Sequence, residues 1–63
     1  MNNKEALEQA AVIADVIAEN NEKMSELRNK QGDILDKLIY NCQTYTARCI
    51  ADKIREFKDE IKE

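Results

Sequence analysis

The sequence predicts an all-α protein, an antiparallel helical hairpin that dimerises into a four-helix bundle. Three observations lead there. From Leu7 to Cys49 a row of residues recurs at alternating spacings of three and four, the period of a helix-packing seam. The row runs through Ala10, Ala14, Ile17, Asn21, Met24, Arg28, Gln31, Leu35, Leu38, Cys42 and Tyr45, and it turns polar in earnest only beside Gly32. That glycine is the only one in 63 residues, and there is no proline, so nothing else in the chain is a strong helix breaker.

The first helix is expected over residues 3–30. Asn2 or Asn3 supplies an amide oxygen for an unpaired N–H of the first turn, and Glu5 meets the positive end of the helix dipole. Alanines at 6, 10, 11, 14 and 18 favour helix. Asn20 and Asn21 are its soft spot, at about 0.6 kcal/mol each against alanine, but Met24 returns in phase with Ile17 and predicts continuity.

A turn over 30–33 follows. Gly32 takes the left-handed backbone that closes a helix, with Arg28 and Lys30 in the last turn. Asp33 then caps a second helix over 34–62, and Asp36 adds charge to its first turn. A connection this short makes the helices antiparallel, each about 42 Å long. Folding at Gln31 and Gly32 makes facing residues sum to about 63. The seam row then forms the packed layers: Met24 on Leu38, Asn21 on Cys42, Ile17 on Tyr45 and Thr46, Ala14 on Cys49. The rival is one long helix in a parallel coiled coil, which would bury Arg28, Gln31 and Gly32 together at mid-helix.

A single domain of 63 residues covers only about 60% of the surface its unfolded chain exposes. Such chains add a disulfide, a metal or a second subunit. Cys42 and Cys49 lie seven residues apart on one helix, about 10 Å along the axis, too far to bridge. With no histidine, two thiols are too few for a zinc site. Elimination leaves a homodimer, whose core is expected to hold Ala14, Ile17, Asn21, Met24, Leu35, Leu38, Cys42, Tyr45 and Cys49. Asn21 is the candidate for fixing register.

Beyond Cys49 the apolar stripe changes phase to Ile50, Ile54, Phe57 and Ile61, extended backwards by Ile39. The second helix therefore carries an apolar arc wider than the ~100° a surface helix needs. Ile50, Ile54, Phe57, Ile61 and Tyr40 are accordingly the expected surface for another protein.

Tools of catalysis are scarce: no histidine, one serine (Ser25) and no glycine-rich loop. Carboxylates such as Glu19, Glu22, Glu26, Asp52, Glu56, Asp59 and Glu60 alternate with lysines and arginines as on solvated helix faces. No enzymatic activity, cofactor or metal is therefore expected. The net charge is −3, spread over both halves, which offers nucleic acid and anionic membranes no long-range attraction. The longest apolar run, Ala10 to Ala18, contains Asp15 and falls short of the ~20 residues of a membrane span. The polar start, Met1 to Gln9, does not look like a secretory leader, and the expected compartment is the cytoplasm.

Ala10, Ala14 and Ile17 in helix one, with Asp33, Ile34, Leu38 and Cys49 in helix two, resemble the Rop family of RNA-binding hairpins. That resemblance implies an antiparallel four-helix dimer. It also implies an RNA-reading face of lysines and amides on helix one, where this chain presents Glu5, Val12, Val16, Asn20 and Leu27. The expected function is thus a small accessory or regulatory protein, of the kind mobile elements carry, that binds another protein through its helices. The alternatives are a Rop-like nucleic-acid regulator, using Arg48, Lys53, Arg55, Lys58 and Lys62, and a structural subunit or chaperone of a larger assembly.

Overall fold

In the computed structural model, which describes residues 2–62, the chain is two helices packed antiparallel: α1, Asn3–Lys30, and α2, Ile34–Glu60. The long-rod alternative is excluded by the reversal between them. Each helix starts where a short polar side chain meets a bare backbone donor. Asn2 Oδ1 accepts from the Glu5 N–H at 2.8 Å, and Asp33 Oδ1 accepts from the Asp36 N–H at 3.1 Å. The second helix ends at Glu60, two residues short of the sequence expectation, with Ile61 in extended backbone as its C-cap.

The reversal is built by Gly32 at φ +76°. Its N–H donates to the Asn29 carbonyl at 3.1 Å, and the Asp33 N–H donates to the Arg28 carbonyl at 2.9 Å. Those two bonds satisfy carbonyls that the last turn of α1 would leave bare, the Schellman closure. Arg28 secures the corner from outside, donating to Gln31 Oε1 at 2.9 Å and lying 3.7 Å from Asp36. A Cβ added to Gly32 would meet nothing within 4 Å, so backbone strain alone opposes a side chain there. Gly32→Ala is expected to lower stability by about 1 kcal/mol, read as a shifted urea midpoint, and Gly32→Asn by less.

The helices meet through small residues. Among the described residues, Ala11, Ala14, Ala18 and Ser25 of α1 and Thr44, Ala47 and Ala51 of α2 are the buried ones. Ile54 lies half-buried against Ala11, Ala14 and Ala51. The expected register holds across this line: Thr44 lies opposite Ala18, and Ser25 opposite Lys37. The expected layers do not. Of the seam row only Ala14 is buried between the helices, while Ile17, Leu35, Leu38 and Tyr45 stay open and both cysteines are exposed. The α1 contact is rotated from the large residues onto the neighbouring alanines, because methyl groups let two backbones approach more closely than isoleucine and methionine do.

The result is a plate. Its Cα extents are 49 × 16 × 9 Å, one helix thick. The radius of gyration of 14.5 Å compares with about 11 Å for a compact domain of this length. A single layer has no interior, and among the described residues no large side chain is fully buried. Stable domains close a second layer over the first.

Candidate apolar interaction face

The plate has two unlike sides. Along one runs a polar edge. Glu8 accepts from Arg55 (2.9 Å to Nη2, 3.3 Å to Nε) and from Lys58 Nζ at 2.8 Å. The same Arg55 Nη2 reaches Asp15 at 2.8 Å, so one guanidinium ties two carboxylates of α1 to α2. Further along, Arg48 pairs with Glu22 and the Ser25 hydroxyl donates to Asn41 Oδ1. The Thr44 hydroxyl donates to the Tyr40 carbonyl at 2.9 Å, with the Ala18 carbonyl at 3.4 Å.

Hydrogen bonds from Arg55 and then Lys58 hold the Glu8 carboxyl at about 2, against an ordinary 4.5. The same contacts raise the Arg55 guanidinium, with Glu8 the larger cause and Asp15 the second. Because the folded carboxyl titrates below the unfolded one, its contribution is complete above about pH 4.5 and is lost as pH falls towards 2. Acid titration followed by circular dichroism is expected to show that loss. Glu8→Gln should remove this part of the pH dependence and leave the rest.

The other side is apolar and open. Ala10, Ile13, Ala14 and Ile17 of α1 and Cys42, Thr46, Ala47 and Ile50 of α2 line a shallow hollow of about 540 Å³, with the amides of Asn21 and Gln43 among them. No charged residue lines it. The Asn21 amide donates to its own helix, to the Ile17 carbonyl at 2.9 Å. Beyond the hollow, on the outer flank of α2, Leu38, Tyr45 and Cys49 are exposed, Tyr45 by 72%. Cys49 lies beside the Tyr45 phenol and raises its pKa above the ordinary 10.

The surface expected for another protein divides. Ile50 and Phe57 stand open. Ile54 is drawn into the contact between the helices, and Tyr40 and Ile61 are half-covered. Of the row expected in an oligomer core, Ala14 is buried within the chain, Asn21 and Met24 are half-covered, and Ile17, Leu35, Leu38, Cys42, Tyr45 and Cys49 are exposed. Ile13 and Gln43 lie on the open face and escaped sequence reasoning, and Thr46, expected in a layer with Ile17, lies there with Ile17. Ile13 is adjacent in sequence to the seam residue Ala14, and a wider helical arc would have included it.

Among the described residues no group of three or more histidine, cysteine or acidic side chains is placed to hold a metal ion. Among the described residues no helix is long and apolar enough to cross a membrane. Of the five basic residues that a nucleic-acid surface would use, Arg48, Lys53, Arg55 and Lys58 are paired with carboxylates. Fold and surface define the class: a two-helix plate with one self-neutralised polar edge and one open apolar face. Compared with known protein families, curated proteins and solved structures, the chain matches none.

Proposed function

We propose that this chain is a non-enzymatic interaction module, an accessory or regulatory protein whose work is helix-mediated association with another protein. One observation carries the reading. Twelve large apolar side chains among the described residues, from Val12 to Phe57, each keep 45% or more of their surface exposed. Removing such surface from water is favourable by roughly 25 cal/mol per Å²; Ile13, Ile17 and Ile50 of this set line one hollow, and contiguous exposed apolar patches mark contact sites. By contrast, Glu8, Asp15 and Glu22 of α1 pair with Arg55, Lys58 and Arg48 of α2 along the polar edge, where they join the helices to each other.

The outer flank of α2, with Leu38 and Tyr45, suits a partner that contributes its own apolar helix. Tyrosine is well fitted to such a contact, with a broad ring and a hydroxyl that reaches the wet rim. The test compares crosslinked partners of the wild-type chain with those of a Leu38→Lys, Tyr45→Lys double variant in the source cell. The double variant is expected to keep its helicity and lose a specific partner. Recovery of the same partners by a folded double variant would sink the proposal.

A further inference from the structure

We infer that a second copy of this chain covers the open face, so that two plates stack into a two-layer, four-helix unit. This rests on the association function proposed above and assigns an occupant to the open face, a different surface from the outer flank of α2. The area fits. In outline one side of the plate is 49 Å by 16 Å, close to 800 Å², so a stacked copy that covers the whole side, hollow and surround together, reaches about what each partner contributes to a standard stable interface. The chain exposes 4693 Å², some 500 Å² more than the ~4200 Å² of a compact monomer of its mass.

Shape and charge select a copy over a foreign protein. Ile13, Ile17 and Ile50 project from the face, and Ala10 and Ala47 lie beside them in the same hollow. A surface that bears both knobs and recesses has the means to meet its own copy about a two-fold axis. The lining carries no charge, so two chains of net charge −3 meet there without like charges in contact. A charged partner would find no counter-ion on it. Asn21 and Gln43 are the amides that line the hollow, and each can pair with its counterpart to set the stacking register.

Light scattering of the full chain from micromolar to millimolar concentration tests the occupant. The expected mass is twice the 7.3 kDa of one chain, with helicity falling as dilution separates the copies. Ile17→Asp and Ile50→Asp should each weaken association on the order of a hundredfold or more, by leaving an unpaired charge in the contact. Val16→Asp, outside the hollow, should leave it unchanged. Should the aspartate variants fail to fold, Ile17→Ala and Ile50→Ala must still raise the dissociation constant at equal helicity in concentrated solution. A chain that stays at 7.3 kDa and cooperatively helical to millimolar overturns the inference. So does an association that Val16→Asp disrupts and the face variants spare. Loss of a heterologous partner by the Leu38→Lys, Tyr45→Lys variant in a monomeric chain would overturn the second copy and leave the interaction module standing.

Discussion

Ala18→Leu is expected to be among the most damaging single changes to this chain. Ala18 is 1% exposed, with the Thr44 hydroxyl 3.4 Å from its carbonyl oxygen. Three added carbons have nowhere to go unless the helices separate, and separation pulls Ala11, Ala14, Ala47 and Ala51 out of contact together. Overpacking of this kind costs about 1–3 kcal/mol, against a total stability of roughly 3–9 kcal/mol for a chain this long. Ala6→Leu serves as the control, since Ala6 is exposed on the same helix and leucine is nearly as good a helix former. Urea denaturation followed by circular dichroism should show a large fall in midpoint for Ala18→Leu and little change for Ala6→Leu. Equal midpoints would mean that the helices do not meet along the alanine line.

Ile54→Asp should have an effect at least as large. Ile54 closes the alanine seam, packed on Ala11, Ala14 and Ala51, so the change removes apolar contact and sets a carboxylate against methyl groups. Truncation of an aliphatic core side chain costs about 2–5 kcal/mol, and a desolvated polar group adds about 1–3 kcal/mol more. The half-covered position places the sum towards the lower end, still a large part of what the chain has. Phe57, one turn further on, is 58% exposed, and Phe57→Glu should cost the hairpin well under half as much. Thermal unfolding of both variants at high protein concentration separates them. If Phe57→Glu unfolds the chain and Ile54→Asp does not, the inner and outer faces of α2 have been exchanged.

These contrasts show where the sequence is transparent. Local signals with a single physical solution are readable residue by residue. Asn2 and Asp33 offer side-chain acceptors where a helix must begin, and Gly32 is the only residue that enters left-handed backbone without a steric penalty. The axial register also follows, because a tight reversal leaves little slack. The rotation of each helix about its own axis does not. Two rows on α1 share Ala14: one continues through Ile17 and Met24, the other through Ala11 and Ala18. Hydrophobic periodicity favours the row with more carbon, whereas the close contact selects the row with less, since its smallness is what admits the neighbouring backbone.

The same inversion moved the candidate interaction surface. Once the alanines are spent between the helices, the isoleucines are left facing outward, and Ile13 and Ile50 become neighbours across the hollow. No pattern within either helix alone reports that pairing. Nor does it report that Arg55 serves Glu8 and Asp15 at once, because those carboxylates are seven positions apart on α1 and become one clamp only when α2 lies alongside. Alternating charge reads from sequence as a solvated face, and only the antiparallel packing turns it into a polar edge.

Bare methyl groups make a smooth track. Interlocking side chains would resist a slip of one helix along the other, but a line of alanines presents few obstacles to it. The brake lies at the margin, where Arg55 grips Glu8 and Asp15, Arg48 holds Glu22, and Ser25 meets Asn41. These bonds act as a vernier, setting the stagger of the two rods and hence the alignment of the isoleucines they carry. A chain stripped of its margin is expected to stay helical and still lose that alignment.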